Sequence, residues 1–160
     1  MFFRNEFFRS GFHMDDPHTW FQLLNFCLLH MIPAGEHVYL ITLFRKMSRD
    51  LGHINILTAA IDPSLLTPFG SAHGGVTAAI VDHVTGVVVY PLMERGQWAA
   101  TTEIKVNYLA PLRAETVDAE ASVVAMTKRS AVVRCELYRQ DERRRILAAA
   151  QATLTIVDAR

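Results

Sequence analysis

The sequence has no excess of either charge, because its 16 Lys and Arg residues balance its 16 Asp and Glu residues. Proteins that hold nucleic acid mainly through its phosphates are normally basic, so no nucleic-acid partner is predicted. A net charge near zero also leaves little electrostatic repulsion between copies of the chain. Homo-oligomerisation is therefore easier than for a highly charged protein.

Cysteine is scarce, and the two that are present, Cys27 and Cys135, lie far apart without Cys-x-x-Cys spacing. Neither a disulfide scaffold nor a zinc ribbon is expected, and burial as small hydrophobic residues in a reducing compartment is predicted. His73 and His83 do not have the spacing of metal ligands. Because dinucleotide-binding, P-loop and Gly-x-Ser-x-Gly motifs are also missing, we predict no cofactor, no metal and no serine hydrolase.

Long uninterrupted hydrophobic runs are missing as well, since the longest apolar stretches carry a His, Asp or Pro within any window of about 20 residues. The first residues lack the pattern of a signal peptide. We therefore predict no membrane partner and a cytoplasmic location. Because Met14 can itself start translation, residues 1–13 are treated as extraneous or disordered, and residues 14–160 are predicted to form one domain.

Hydrophobic periodicity predicts the first half of the fold. Residues 17–31 have the three- and four-residue spacing of an amphipathic helix that begins after the capping residue Asp16. Residues 38–44 and 53–61 read as the two strands of a hairpin. Residues 74–93 are apolar nearly all round, which predicts a helix of five turns buried in the middle of the fold.

The second half is predicted to be strands. Apolar and polar residues alternate from Gln97 towards Pro111, and similar strand patterns cover residues 117–125, 131–138 and 146–157. Short turns separate the last three, so four consecutive strands are expected to form an antiparallel meander. A buried helix wrapped by this sheet gives an α+β fold.

The segment most suggestive of chemistry is His73-Gly74-Gly75, which leads directly into the predicted central helix. Two glycines leave the backbone amides at a helix start sterically open, at the positive end of the helix dipole. Such amides suit a polarised carbonyl or a developing oxyanion. Glycines that only permit tight packing at a turn would give the same pattern.

Asp82 is the only acidic residue between Asp62 and Glu94, and it lies within this apolar helix. We expect a buried carboxylate, which is costly and therefore usually functional, although a structural Asp bonded to backbone or hydroxyl groups is the alternative. On one helix, Gly74 and Asp82 are about 12 Å apart. One reacting carbonyl cannot touch both, so a homodimer with two shared sites is predicted.

Two stretches together resemble the hotdog-fold acyl-CoA thioesterases of the phenylacetic-acid-degradation (PaaI) type. They are LTPFGSAHGGVTAAIVDHVTG at residues 65–86 and TTEIKVNYLAPLR at residues 101–113. The resemblance extends from about Gly52 to Val157. It implies a hotdog fold, here preceded by the N-terminal helix, in which a long central helix is wrapped by a curved antiparallel β-sheet. It also implies dimers, often paired into tetramers, with a thioester site at the dimer interface.

The resemblance also implies roles for individual residues. Asp82 would be the nucleophile or the general base that activates water, and the Gly74 amide would polarise the thioester carbonyl. His73 would help to place the acyl group. Thr101 falls where the family commonly carries Ser or Thr near the acid, and Thr67 stands where many relatives carry Asn.

Substrate-binding positions follow from the same resemblance. Gly75 would contact the substrate beside Gly74. The turn Lys128-Arg129-Ser130 falls where the family commonly contacts the coenzyme A nucleotide, and its cations suit phosphate groups. An ordinary solvated hairpin tip would look the same. Val76, Ile80 and Leu92 suggest an apolar lining for the acyl group.

We therefore predict hydrolysis of an acyl-CoA thioester to a free acid and CoA. A non-catalytic hotdog protein that binds acyl-CoA is the alternative, and the replacement of Asn by Thr67 is its best support. A hotdog acyl hydratase is a third candidate. It would need a suitably placed acid and His pair, which the adjacent Asp82 and His83 do not supply, because neighbours on a helix point about 100° apart.

Overall fold

The computed structural model describes residues 43–45, 54–142 and 145–158. The predicted helix at residues 17–31, residues 1–13 and most of the predicted strand 38–44 lie outside these ranges. The remainder forms six strands, a central helix and two short 3-10 helices. The predicted α+β class is confirmed.

The six strands form one antiparallel sheet with the order β1-β2-β4-β5-β6-β3. The strands are β1 (Leu43–Arg45), β2 (Ile54–Ala60), β3 (Gln97–Tyr108), β4 (Thr116–Met126), β5 (Ser130–Arg139) and β6 (Ile146–Asp158). Of the first strand of the predicted hairpin only the end is described, and there β1 pairs antiparallel with Ile56–Thr58 of β2.

The predicted four-stranded meander is wrong in one respect. Strands β4, β5 and β6 follow one another as expected, but β3 pairs with β6 and not with β4. The position beside β4 is taken by β2. The alternation of side chains specifies which face a strand buries and not which strand lies next to it. Because β6 is its one neighbour in the described sheet, β3 is an edge strand there.

The central helix, α1 (Gly74–Val87), is shorter than the predicted segment. The chain continues through Val88 and Val89 into a 3-10 helix at Tyr90–Leu92. Proline has no amide hydrogen and its ring clashes with the preceding turn, so Pro91 prevents the α-helix from extending to Met93.

The helix packs on the sheet through one broad stripe, whose buried members are Thr77, Ile80, Val81, Val84, Thr85 and Val87. It contacts strands β2 to β6. The opposite stripe, Gly75, Ala79 and Asp82, is exposed, so the expectation of a helix buried all round is wrong. By length and composition alone, Gly74–Leu92 would also qualify as a membrane span. Its packing is that of a core helix.

Each of two strands has a break in register, between Thr101 and Glu103 in β3 and between Val123 and Ala125 in β4. A one-residue bulge moves the following residues to the other face. Before the break, Thr101 lies opposite the core residue Leu154. Thr101 therefore faces the same side of the sheet as α1.

Cys135 is completely buried on β5, as predicted, and burial raises the pKa of its thiol to about 12. Its thiolate is therefore scarce at neutral pH, which suits a structural residue. Cys27 lies outside the described residues.

His83 is the titratable group of α1 with a shifted pKa. Burial lowers its pKa below the usual 6.5, against a smaller opposing effect of the Asp82 charge. Its buried Nε2 has no hydrogen-bond partner within the described residues. Below about pH 6.5 the unfolded chain binds a proton at His83 that the folded chain resists, so acid destabilises the fold at this residue.

We predict that His83→Gln makes the unfolding free energy less sensitive to acid. The measurement is urea denaturation of both proteins at pH 7.5 and pH 5.5. The wild type should lose more stability than the variant between these two pH values, since only the wild type has the imidazole. Equal losses in the two proteins would contradict the prediction.

Candidate active site

His73 is the capping residue at the start of α1. Its backbone is extended, and its Nδ1 accepts a hydrogen bond of 3.0 Å from the Gly75 amide. Accepting at Nδ1 requires the neutral ring to carry its proton on Nε2. The side chain therefore satisfies one of the amides that a helix start leaves without an internal partner. A Cβ at Gly75 would lie 3.2 Å from this same Nδ1, so glycine leaves room for the cap.

The amide of Gly74 is left open by this arrangement. It is the first residue of α1, and within the described ranges no acceptor bonds its N–H. The amides of its neighbours are occupied: Gly75 by His73, and Val76 by the His73 carbonyl at 2.9 Å. Gly74 thus supplies an open donor at the positive end of the helix dipole.

Tyr108 lies against Gly74. Its hydroxyl donates a hydrogen bond of 3.2 Å to the Gly74 carbonyl oxygen. A Cβ at Gly74 would lie 3.3 Å from Cζ of this ring, which is tighter than a normal contact. Glycine is therefore the residue that permits the close approach of the ring to the helix start. Tyr108 ends β3 and is 56% exposed.

A pocket of about 390 Å³ opens at this helix start. Its walls are the segment before α1 and the loop after β3, and it is lined by Ser71, Ala72, Gly74, Thr77 and the stretch 108–112. The two walls are joined by a hydrogen bond of 2.7 Å from the Ala72 amide to the Leu112 carbonyl. The predicted lining residues are not in this pocket: Ile80 is buried in the core, and Val76 and Leu92 do not line it.

Thr67 belongs to the tight loop that precedes the pocket. Its hydroxyl and its amide each donate a hydrogen bond of 2.8 Å to the Ser71 carbonyl oxygen. The Gly70 amide closes the loop at 2.9 Å onto the Thr67 carbonyl, and Gly70 has the positive φ of 75° that this turn requires. The hydroxyl hydrogen of Thr67 is thus used within the loop.

Asp82 is exposed, so the expectation of a buried carboxylate is wrong. Its carboxylate has no hydrogen-bond or ion-pair partner among the described residues. It does not line the pocket, and it lies two turns along the continuous helix from Gly74, about 12 Å away. One chain therefore does not bring Asp82 and the Gly74 amide together.

Thr101 is exposed on the helix side of the sheet. It precedes Tyr108 by seven residues, or about 20 Å along β3. Thr101 is therefore distant from the Gly74 amide of its own chain.

Lys128 and Arg129 lie in the turn between β4 and β5, and Ser130 is the first residue of β5. The turn is closed by hydrogen bonds from the Arg129 and Ser130 amides to the Thr127 hydroxyl. Both cations are exposed, and none of these residues lines the pocket. No cluster of three or more potential metal ligands occurs in the described part of the chain.

Tyr108 lies beside Gly74, and the sequence predicts no role for it. It stands within the NYLAP segment, but only the pairing of β3 with β6 places the end of that strand over the start of α1. An aromatic residue at the end of a strand was the available signal, and it is too common to be specific.

Comparisons with known proteins find relatives of the part of the chain that carries this site. A family model described as "Thioesterase superfamily" matches residues 69–146, which include the start of α1, the pocket and Asp82. The chain is 28% identical over 89 residues to a 1,4-dihydroxy-2-naphthoyl-CoA hydrolase of Listeria monocytogenes, covering 56% of this chain and 71% of the relative.

Two solved structures show the same fold. A mutant thioesterase of Pseudomonas aeruginosa superposes with a TM-score of 0.69 at 19% identity, covering 86% of this chain and 93% of the other. The PaaI protein of Escherichia coli, from the phenylacetic acid degradation operon, gives a TM-score of 0.61 at 19% identity, covering 68% and 75%. The predicted hotdog fold and the predicted resemblance are both confirmed. The comparisons thus support a thioester hydrolase with the hotdog fold, similar to the thioesterase superfamily over residues 69–146.

Proposed function

We propose that the protein hydrolyses acyl-CoA thioesters in a site shared by two copies of the chain. One protomer supplies the pocket and the Gly74 amide, and the other supplies the Asp82 carboxylate. The observation that carries the proposal is the open N–H of Gly74, a residue that lines a pocket at the positive end of α1. The 1,4-dihydroxy-2-naphthoyl-CoA hydrolase among the relatives supports a CoA ester as the substrate.

The Gly74 amide is suited to the thioester carbonyl oxygen. When a nucleophile adds to the carbonyl carbon, negative charge develops on that oxygen. A donor that is already oriented, at the positive end of a helix, stabilises this charge without reorganising. The other amides of the first turn are engaged, so Gly74 has the donor that is free for substrate.

Asp82 would act on the opposite face of the carbonyl. As a general base it takes a proton from water, which adds to the carbonyl carbon, and the same proton then goes to the departing CoA thiolate. As a nucleophile it would instead form an anhydride that water hydrolyses. Both routes need the carboxylate within about 3.5 Å of the reacting atoms, a distance that one helix does not provide.

A two-fold axis could bring the two halves together. If two α1 helices run antiparallel with the axis level with Ala78, midway between Gly74 and Asp82, each Gly74 lies beside Asp82 of the partner subunit. In the described sheet β3 is an edge strand, which favours such pairing, since an edge strand offers unpaired backbone groups to a second copy. Thr101, on the helix side of this edge, would then approach the shared cleft. The proposed assembly is a dimer of such dimers, and the proposed location is the cytoplasm.

Three further residues support the site from the loop before α1 and from its first turn: Thr67, His73 and Gly75. His73 caps α1, Gly75 allows that cap, and Thr67 closes the preceding turn. Lys128 and Arg129, exposed at a hairpin tip, would contact phosphates of CoA across the interface.

A non-catalytic acyl-CoA-binding protein is the second candidate. One observation favours it: the Thr67 hydroxyl hydrogen is bonded to the Ser71 carbonyl and is not available to orient water. Binding of acyl-CoA without release of free thiol would identify this function.

We predict that the purified protein releases CoA thiol from at least one member of a panel of aliphatic and aromatic acyl-CoAs, detected with a thiol reagent. Asp82→Asn should lower kcat by about 10²–10⁴-fold, the range expected for the loss of a general base. Because Asp82 is exposed and unpaired, the variant should unfold at nearly the wild-type temperature. An unimpaired Asp82→Asn enzyme would remove this residue from the mechanism.

A second prediction isolates the Gly74 amide. Gly74→Pro removes the N–H, and its backbone cost is small, because Pro suits the first helical position and His73 already has the extended conformation (ψ 144°) that a following proline requires. Gly74→Ala is the matched control, since it adds the same Cβ next to Tyr108 and keeps the N–H. We expect kcat of the Pro variant to be about 10²–10³-fold below that of the Ala variant. Equal kcat values would show that the amide is not used.

A further inference from the structure

The peptide unit that joins Gly74 to Gly75 is held at both ends by side chains. Its oxygen, which belongs to Gly74, accepts the Tyr108 hydroxyl hydrogen bond at 3.2 Å. Its N–H, which belongs to Gly75, donates to His73 Nδ1 at 3.0 Å. The Tyr108 side chain also lies close beside Gly74, because a Cβ there would lie 3.3–3.4 Å from three of its atoms.

We propose that Tyr108 is a positioning residue that fixes the direction of the open Gly74 N–H. The inference rests on the proposed function, in which that N–H binds the thioester carbonyl oxygen. The Tyr108 hydroxyl holds the carbonyl side of Gly74, and the ring restricts its Cα. With both fixed, the N–H of this residue, which lines the pocket, keeps one direction.

Glycine makes such a restraint necessary. It has the largest backbone freedom of any residue, and Gly74 and Gly75 stand together in the first turn, where backbone amides lack internal partners. An amide donor stabilises a developing oxyanion well only when its direction is set before the reaction. His73 restrains the Gly75 N–H and makes no contact with the Gly74 oxygen, so the two side chains have separate roles.

The contact also links two structural elements. Tyr108 ends β3, the strand that pairs along its length with β6, whereas Gly74 begins α1. The hydrogen bond therefore fixes the helix start to the sheet at the pocket. The adjoining hydrogen bond between the Ala72 amide and the Leu112 carbonyl fixes the neighbouring walls in the same way.

The test compares Tyr108→Phe with Tyr138→Phe. Tyr108→Phe keeps the ring and removes the hydrogen bond to Gly74. Tyr138→Phe removes a tyrosine hydrogen bond of 2.7 Å to Glu120, away from the pocket, and is the matched control. Two readouts are needed: kcat and KM with the preferred acyl-CoA, and NMR of the ¹⁵N-labelled proteins at the Gly74 and Gly75 amides.

In Tyr108→Phe we expect kcat to fall about tenfold, the size of one hydrogen bond, with KM within about twofold of wild type. The Gly75 amide should exchange faster with solvent, and the Gly74 amide should show greater ¹⁵N mobility. Tyr138→Phe should keep the wild-type kcat and the wild-type signals at both glycines.

Three results would overturn the proposal: an unchanged kcat in Tyr108→Phe, unchanged glycine amides, or a rise in KM alone, which would make Tyr108 a substrate-binding residue. If the wild type itself hydrolyses no acyl-CoA, the proposed function fails. The NMR comparison then still decides whether Tyr108 restrains Gly74.

Discussion

The rigidity of one helix is the constraint on which the site depends. Residues 74–87 form a continuous α-helix, so Gly74 and Asp82 of one chain stay about 12 Å apart along the helix axis. The pocket at the helix start contains no carboxylate, and the helical carboxylate has no partner among the described residues. Each described chain thus offers two separated halves, which is the arrangement expected of a site completed by a second copy.

At the helix start, the group suited to the substrate is a backbone amide, and the side chains around it form hydrogen bonds to the neighbouring backbone groups. His73 occupies the Gly75 amide, the Thr67 hydroxyl closes the loop, and Tyr108 bonds the Gly74 oxygen. These contacts leave the Gly74 N–H as the open donor of the first turn. The two glycines are explained by neighbours that a Cβ would crowd, the tyrosine ring at Gly74 and the imidazole at Gly75.

The fold class, the central helix and most strand positions could be predicted from the sequence, because periodicity and proline reflect local chemistry. The pairing of β3 with β6 could not, since alternation says nothing of neighbours. The exposure of Asp82 was also missed: a helix apolar in composition can leave a narrow stripe of small residues, Gly75 and Ala79, beside an acid. The Tyr108 contact was missed because it depends on that same strand order.

Subunit complementation tests the shared site most directly. Asp82→Asn and Gly74→Pro, each inactive alone, are unfolded together in equal amounts and refolded. In a mixed dimer, one site combines an intact Gly74 amide with an intact Asp82, so random pairing should restore about a quarter of the wild-type activity. If both groups acted within one chain, every site would lack either the Gly74 amide or the Asp82 carboxylate. Activity of the mixture no higher than that of the separate variants would then contradict a site shared between protomers.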